Sequence, residues 1–131
     1  MTISTDDRVR LHELAAFYGD CIDGRDWDGL ARVFVDDVVW DNPARPDATL
    51  RGRSAVQAFM RGARHPVAHH ITNVRVDDDG DAVRLHSRVL LVRDDGSTMS
   101  GEYHDTVVHT PDGWRIERRT FVARGPFRPR S

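Results

Sequence analysis

The chain has 131 residues, 39% of them hydrophobic and 31% charged, which fits one globular domain of ordinary size. Its formal net charge is −2 and it has no run of basic residues, so a nucleic-acid-binding surface is not expected. All 19 basic residues are arginine, which excludes lysine chemistry, and the single cysteine cannot form an intrachain disulfide. Because neither a signal peptide nor an apolar run near the ~20 residues of a membrane span is visible, we expect a cytoplasmic protein that does not contact membranes.

The first third of the chain is predicted to be mainly helical. Thr5 is a suitable N-cap, apolar residues follow at helical spacing over 11–22, and Gly24 is a suitable end. A second, short helix is predicted from about residue 26 to residue 34. Residues 38–40 then indicate a short strand.

The rest of the chain contains one more helix and then changes to an alternating pattern. After a loop over residues 42–47, the third helix is predicted to begin at Ser54 and to end near residue 63. The alternating segments, separated by turn sequences, predict strands at residues 67–76, 83–91, 99–108 and 114–123. Three helices packed on a strongly curved, mainly antiparallel sheet give an α+β domain with a pocket at its open end. We assign this domain to residues 1–125 and a C-terminal tail to residues 126–131.

Four residues on separate predicted elements indicate a chemical function. Asp23 ends the first helix and His69 begins a strand, and a carboxylate beside a histidine is a general-base arrangement. Arg119, on the last strand, could hold developing negative charge, and Tyr103 lies on the strand before it. The set predicts proton abstraction in a small hydrophobic pocket.

Asp23 and His69 also have simpler interpretations. On a helical wheel Asp23 follows Ala16 and Gly19, and this stripe of small residues would leave room for a ligand, whereas the alternative is an exposed aspartate at a helix end. His69 and His70 must point to opposite faces of their strand, so one should point inward. A hydrogen-bonded structural histidine remains the alternative role for that residue.

Arg119 could face either side of the sheet. In strict alternation it shares a face with Glu117 and Phe121, while Trp114 and Ile116 lie on the other face. If Phe121 faces the pocket, so does Arg119, and a buried arginine then needs a partner such as the dyad carboxylate or a ligand oxygen. The alternative is a salt bridge on the outer sheet surface.

The remaining candidates are predicted to form the wall of the pocket. Tyr18 lies about 140° from Asp23 on an ideal helix, so a core tyrosine is as good an interpretation as a catalytic donor. Because His65-Pro66 interrupts the third helix, the nearby histidines do not form a metal-binding constellation, and no cofactor motif is present. We therefore expect neither a metal nor a cofactor. The candidate substrate-binding residues are Trp40, Asn42, Phe59, Met60 and Phe121.

Motifs along nearly the whole domain carry a resemblance to a known family. They are found at residues 22–30, 34–40, 52–56, 69–74, 101–105 and 112–116. With them the sequence resembles the SnoaL-like, polyketide-cyclase-like branch of the nuclear transport factor 2-like (NTF2-like) superfamily, which implies a cone-shaped fold. In scytalone dehydratase and bile-acid dehydratase of that superfamily, an aspartate–histidine dyad falls on Asp23 and His69. The resemblance also places an arginine on Arg119, or less well on Arg118, and a tyrosine on Tyr18.

The residues and the resemblance together predict a cofactor-free lyase or isomerase, of dehydratase type, acting on a small hydrophobic ring compound or ketone. The alternative is a non-catalytic module, either a small-molecule carrier or a subunit similar to the small subunits of ring-hydroxylating dioxygenases. Epoxide hydrolysis is a third possibility, but of the three residues it needs only Asp105 and Arg119 could contribute.

The resemblance further implies a homodimer formed through the outer face of the sheet. Apolar residues predicted to form a patch on that face are Trp114, Ile116, Val108 and Leu90.

Overall fold

The computed structural model describes residues 2–125, so the predicted tail at 126–131 lies outside the described residues. The helices are α1 (Thr5–Asp23) and α2 (Arg53–Gly62). The strands are β1 (Phe34–Asp41), β2 (Leu50–Arg51), β3 (Ala68–Asp78), β4 (Val83–Val92), β5 (Thr98–Thr110) and β6 (Gly113–Arg124). They form one curved sheet in the order β2-β1-β6-β5-β4-β3, antiparallel except where β1 runs parallel to β6. The predicted α+β class is confirmed. Neither described helix is long and apolar enough to cross a membrane.

The start of α1 is fixed by a capping box. The N-cap is Ser4 rather than the predicted Thr5: its hydroxyl accepts a hydrogen bond from the Asp7 N–H at 3.0 Å. In return the Asp7 carboxylate accepts from the Ser4 N–H at 3.1 Å, so two otherwise unpaired backbone donors are satisfied.

The end of α1 is a Schellman motif that positions the last helical residue, Asp23. The Asp26 N–H donates to the Cys21 carbonyl at 2.8 Å and the Arg25 N–H to the Ile22 carbonyl at 3.1 Å. Arg25, rather than a glycine, occupies the left-handed position with φ 56°, and its guanidinium also donates to the Ile22 carbonyl at 2.8 Å. The chain therefore turns away directly after Asp23.

The predicted second helix is wrong. Only a 3₁₀ turn forms, over Asp28–Arg32, and Phe34 already belongs to β1, where it lies opposite Ile116. The turn is tight because the Asp26 carboxylate accepts from the Gly29 N–H at 3.0 Å. The domain therefore contains two α-helices within residues 2–125 instead of three, and β1 is longer than predicted.

A β-bulge in β6 changes which residues face the core. Ile116 and Arg118 lie opposite consecutive residues of β5, so Glu117 is an extra, bulged residue. The bulge reverses the alternation, and both Ile116 and Arg119 are buried, at 0% and 1% exposure. The prediction that Trp114 and Ile116 face away from Arg119 is therefore wrong.

The bulge also removes two of the four residues of the predicted outer apolar patch. Trp114 and Ile116 belong to the core between the helices and the concave face of the sheet. Of the large apolar residues on the outer face, Leu90 and Val122 remain exposed, at 40% and 38%. A homodimer through this face stays a prediction.

Candidate active site

Asp23 joins the end of α1 to the start of β3 through His69. One carboxylate oxygen lies 2.7 Å from His69 Nδ1, and both oxygens accept from the His69 backbone N–H at 3.0 Å. The His69 side chain is 7% exposed and that of Asp23 29%. The predicted pair therefore lies in hydrogen-bond contact. Asp23 contacts both the imidazole and the backbone N–H of His69.

The contact with Asp23 determines which ring nitrogen of His69 is available. A carboxylate can only accept, so Nδ1 carries the proton and Nε2 keeps its lone pair. Burial lowers the pKa of His69 below its usual 6.5; the Asp23 carboxylate acts in the opposite direction, but burial outweighs it. A neutral imidazole with a free Nε2, which has no protein partner within residues 2–125, is the form that a general base requires.

The small residues that precede Asp23 in α1 have a different role from the predicted one. Ala16 is exposed, and Gly19 lies against β3 and leaves no room for a ligand. A Cβ on Gly19 would come within 3.0 Å of Ile71 Cγ1 and 3.1 Å of the His69 carbonyl oxygen. The missing side chain thus allows α1 to approach β3 closely enough for Asp23 to reach His69.

Gly19→Ala is expected to push α1 away from β3 and to lower the free energy of unfolding by about 1–2 kcal/mol, since overpacking outweighs the gain in helix propensity. Gly62→Ala is the matched control, because a Cβ there meets no atom within 4 Å. Urea denaturation of both variants checks this, and equal stability of the two would contradict the close approach at Gly19.

A cavity of about 380 Å³ opens beside His69. All ten predicted site residues except Asp23 and Arg119 line it, and the 55% exposed Phe59 lies at its rim. Sequence reasoning missed half of the wall, most of it on the loop before β2 and at the end of α2, where no periodic pattern marks the residues. The missed residues are Arg45, Ala48, Leu50, Ala63, Arg64, His65, Pro66 and Leu91.

Arg119 lies behind the cavity wall and is bound by Asp105. Its Nε and Nη2 donate to the two Asp105 oxygens at 2.8 and 2.9 Å, and the two side chains are 1% and 0% exposed. Burial opposes the charge, but Asp105 outweighs it and raises the pKa of Arg119, so the guanidinium keeps its charge. A ligand oxygen as its partner stays a prediction, whereas the predicted dyad carboxylate is wrong. The bulge at Glu117 causes the difference, because it places Arg119 opposite Asp105.

Two tyrosines separate Arg119 from the cavity. The guanidinium carbon lies 3.9 Å from the centre of the Tyr103 ring and 4.3 Å from that of Tyr18. Both rings line the cavity, although Tyr18 is only 1% and Tyr103 3% exposed, so Tyr18 is at once a core and a wall residue. Burial raises the pKa of both phenols and keeps them protonated, while the charge of Arg119 acts in the opposite direction.

The second histidine of the wall, His65, is tied to α2. Its Nε2 lies 2.6 Å from the Met60 carbonyl oxygen, and its ring centre lies 6.2 Å from that of His69. Within residues 2–125, no group of three or more histidine, cysteine or acidic side chains is arranged to hold a metal ion.

The family model of the SnoaL-like domain matches residues 4–120. The chain belongs to the SnoaL-like family. An uncharacterized protein of Mycobacterium tuberculosis is 34% identical to this SnoaL-like domain over 125 residues, covering 86% of this chain and 82% of the relative. SnoaL-like domains bind small molecules, which fits the cavity beside His69.

Solved structures share the fold of this SnoaL-like domain. An NTF2-like protein with a cystatin-like fold from Novosphingobium aromaticivorans has a TM-score of 0.78 and 27% identity, covering 90% of this chain and 82% of the other. A second protein of that organism, whose name assigns it provisionally to scytalone dehydratase, has a TM-score of 0.76 and 22% identity, covering 98% and 95%. At that identity the second similarity shows the fold alone.

Proposed function

We propose that this SnoaL-like domain is a cofactor-free lyase or isomerase that removes a proton next to the carbonyl of a small hydrophobic ring compound or ketone. The observation that carries the proposal is the 2.7 Å contact between Asp23 and His69 Nδ1 at the wall of the cavity. This contact leaves Nε2 as the base. One protein that shares the fold has a name that assigns it provisionally to scytalone dehydratase, an enzyme of dehydratase type.

In the proposed dehydration, His69 Nε2 takes the proton from the carbon next to the carbonyl. The electron pair of that C–H bond moves toward the carbonyl oxygen, and Asp23 stabilises the imidazolium that forms. The electrons then return to form the C=C bond as the C–O bond to the β-hydroxyl breaks. The departing hydroxide takes the proton from His69 and leaves as water, so the base is regenerated.

Tyr18 and Tyr103 are the proposed hydrogen-bond donors to the carbonyl oxygen. Both line the cavity with His69, and both phenols are protonated. Arg119 does not line the cavity and acts as a positioning residue: its charge against the two ring faces makes their hydroxyls stronger donors. Epoxide hydrolysis by Asp105 is not proposed, because both of its oxygens bind Arg119 and its side chain is fully buried.

The test is dehydration of a cyclic β-hydroxy ketone. 3-Hydroxytetralone is a suitable probe, because loss of water yields the fluorescent 1-naphthol. We expect turnover by the wild-type protein above the rate in buffer. If 3-hydroxytetralone displaces a reporter dye from the cavity but is not dehydrated faster than in buffer, the lyase proposal fails for this substrate class, and a non-catalytic carrier becomes the better interpretation.

The pH dependence of this turnover should follow the imidazole of His69. The neutral form is the base and burial lowers its pKa, so activity should fall only when the pH drops below a value lower than 6.5. Asp23→Asn removes the carboxylate that opposes the effect of burial, so any residual activity should persist to still lower pH. A wild-type profile whose acid limb lies above 6.5 would contradict this assignment of the base.

A further inference from the structure

The cavity beside His69 carries positive but no negative side chains in its wall. Two arginines, Arg45 and Arg64, line it, and no aspartate or glutamate does. The Asp23 carboxylate does not line the cavity, because it is turned toward His69 Nδ1 and lies behind the imidazole. This bias is unexpected in a chain that has 21 acidic and 19 basic residues.

Other surface cavities of the domain do not share this bias. The groove between α1 and the β5–β6 turn includes four carboxylates, those of Asp7, Glu13, Asp20 and Asp112. Three smaller cavities each include at least one aspartate or glutamate as well. Among these cavities, the one beside His69 alone has arginines and no carboxylate in its wall, although Arg64 also lines the cavity that includes Asp94 and Asp95.

Neither arginine is held by a buried partner, so both can bind a ligand. Within residues 2–125 no carboxylate lies within 4 Å of the Arg45 guanidinium. Its loop is held by the Arg45 N–H, which donates to the Asn42 carbonyl at 2.8 Å. Arg64 meets Asp94 at 3.6 Å, but these side chains are 90% and 73% exposed, and such a pair contributes little and is readily exchanged.

We propose that the substrate carries an anionic group, such as a carboxylate, beside its apolar ring, and that Arg45 and Arg64 bind this group at the rim of the cavity. The ring then packs against the apolar wall, which includes Trp40, Leu50 and Met60. The inference rests on the proposed function in one respect, because it takes this cavity as the substrate site.

The arrangement also suits the proposed base. An anionic ligand near His69 would favour the imidazolium and so weaken Nε2 as a base. Two arginines at the rim neutralise that charge, and His69 stays neutral when the ligand is bound. If the substrate were neutral, the two arginines would have no ligand charge to neutralise.

Binding of a matched pair of probes tests this inference without any need for turnover. 2-Naphthoate and 2-naphthamide have nearly the same shape, but only the first is anionic at neutral pH. Isothermal titration calorimetry at low salt should show about threefold to tenfold tighter binding of 2-naphthoate, as expected for two exposed charge pairs. Added sodium chloride should weaken the binding of 2-naphthoate and leave that of 2-naphthamide unchanged.

The arginine variants locate the effect. Arg45→Gln and Arg64→Gln should each reduce the preference for 2-naphthoate, and the double variant should abolish it. Arg61→Gln is the matched control. It also removes one positive charge, but from an exposed residue of α2 that does not line the cavity. Equal affinity for the two probes, no measurable binding of 2-naphthoate at millimolar concentration, or an equal loss in Arg61→Gln would overturn the proposal.

The same experiment separates this inference from the proposed function. His69→Ala should keep the preference for 2-naphthoate, because the arginines and not the imidazole recognise the charge. If the wild-type protein dehydrates a neutral ketone but shows no preference for 2-naphthoate, the anion site is wrong and the dyad stands. If 2-naphthoate is preferred but no ketone is turned over, the proposed reaction fails and the anion site stands.

Discussion

Replacing His69 with alanine should lower the rate of 3-hydroxytetralone dehydration by about 10²–10⁴-fold, the usual contribution of a positioned general base. The fold should persist, because the backbone N–H of residue 69 still donates to both oxygens of Asp23. The variant rates are measured by 1-naphthol fluorescence, with thermal unfolding of each variant as the check on folding.

Asp23→Asn should cause a loss of similar size for a different reason. The amide keeps the volume of the carboxylate but cannot stabilise the imidazolium, and its NH₂ group can force the ring into the other tautomer. His70→Ala is the matched control, since His70 is the neighbouring exposed residue of β3 and should leave the rate unchanged. Wild-type turnover in both dyad variants would show that the dyad is not the base.

The largest expected effect on stability comes from the buried pair of Arg119 and Asp105. Arg119→Met should lower the free energy of unfolding by roughly 3–5 kcal/mol, because it leaves the Asp105 carboxylate buried without its cation. That is a large part of the 5–15 kcal/mol typical of a whole domain. Urea denaturation at low temperature gives the measurement.

Two further variants test the cause of that loss. Arg119→Met combined with Asp105→Leu removes both charges and should be more stable than Arg119→Met alone. Arg118→Met is the control: it removes the adjacent arginine, which pairs with Asp41 and has a side chain 53% exposed, and should cost about 1 kcal/mol or less. If Arg119→Met is no less stable than Arg118→Met, Arg119 is not held as described.

The parts of the fold that sequence reasoning predicted correctly are those where periodicity and turns agree. The long helix ends just before Gly24 as expected, since apolar residues recur at helical spacing over 11–22. The β3–β6 meander follows from two-residue alternation between sequences such as Asp94-Asp95-Gly96, which could only be turns. These signals are local, so one sequence is enough to detect them.

The errors arise where tertiary contacts override local patterns. The segment 26–34 has a helical pattern, but the tight 3₁₀ turn at Gly29 and the pairing of Phe34 with β6 replace the helix. A single bulged residue, Glu117, cannot be seen in the alternation of β6, yet it places both Ile116 and Arg119 inside. It also provides Arg119 with Asp105 as its partner.

Part of the candidate site could be predicted from the sequence and part could not. Asp23 and His69 were singled out by residue type and by their resemblance to the dyad of known dehydratases, and the structure places them in contact. The sequence does not single out Arg45 and Arg64. A loop arginine and an arginine after a helix end have no pattern that distinguishes them from other surface charges. Only the shape of the cavity brings them to one wall.

The central claim, that His69 takes a proton from carbon, can be measured directly by deuterium exchange. Tetralone has an acidic C–H next to its carbonyl and no leaving group, so in D₂O it reports proton abstraction alone. Proton NMR should show loss of that signal at least about 100-fold faster with wild-type protein than with His69→Ala. Equal exchange rates with the two proteins, while the spectra show tetralone bound to both, would contradict the claim.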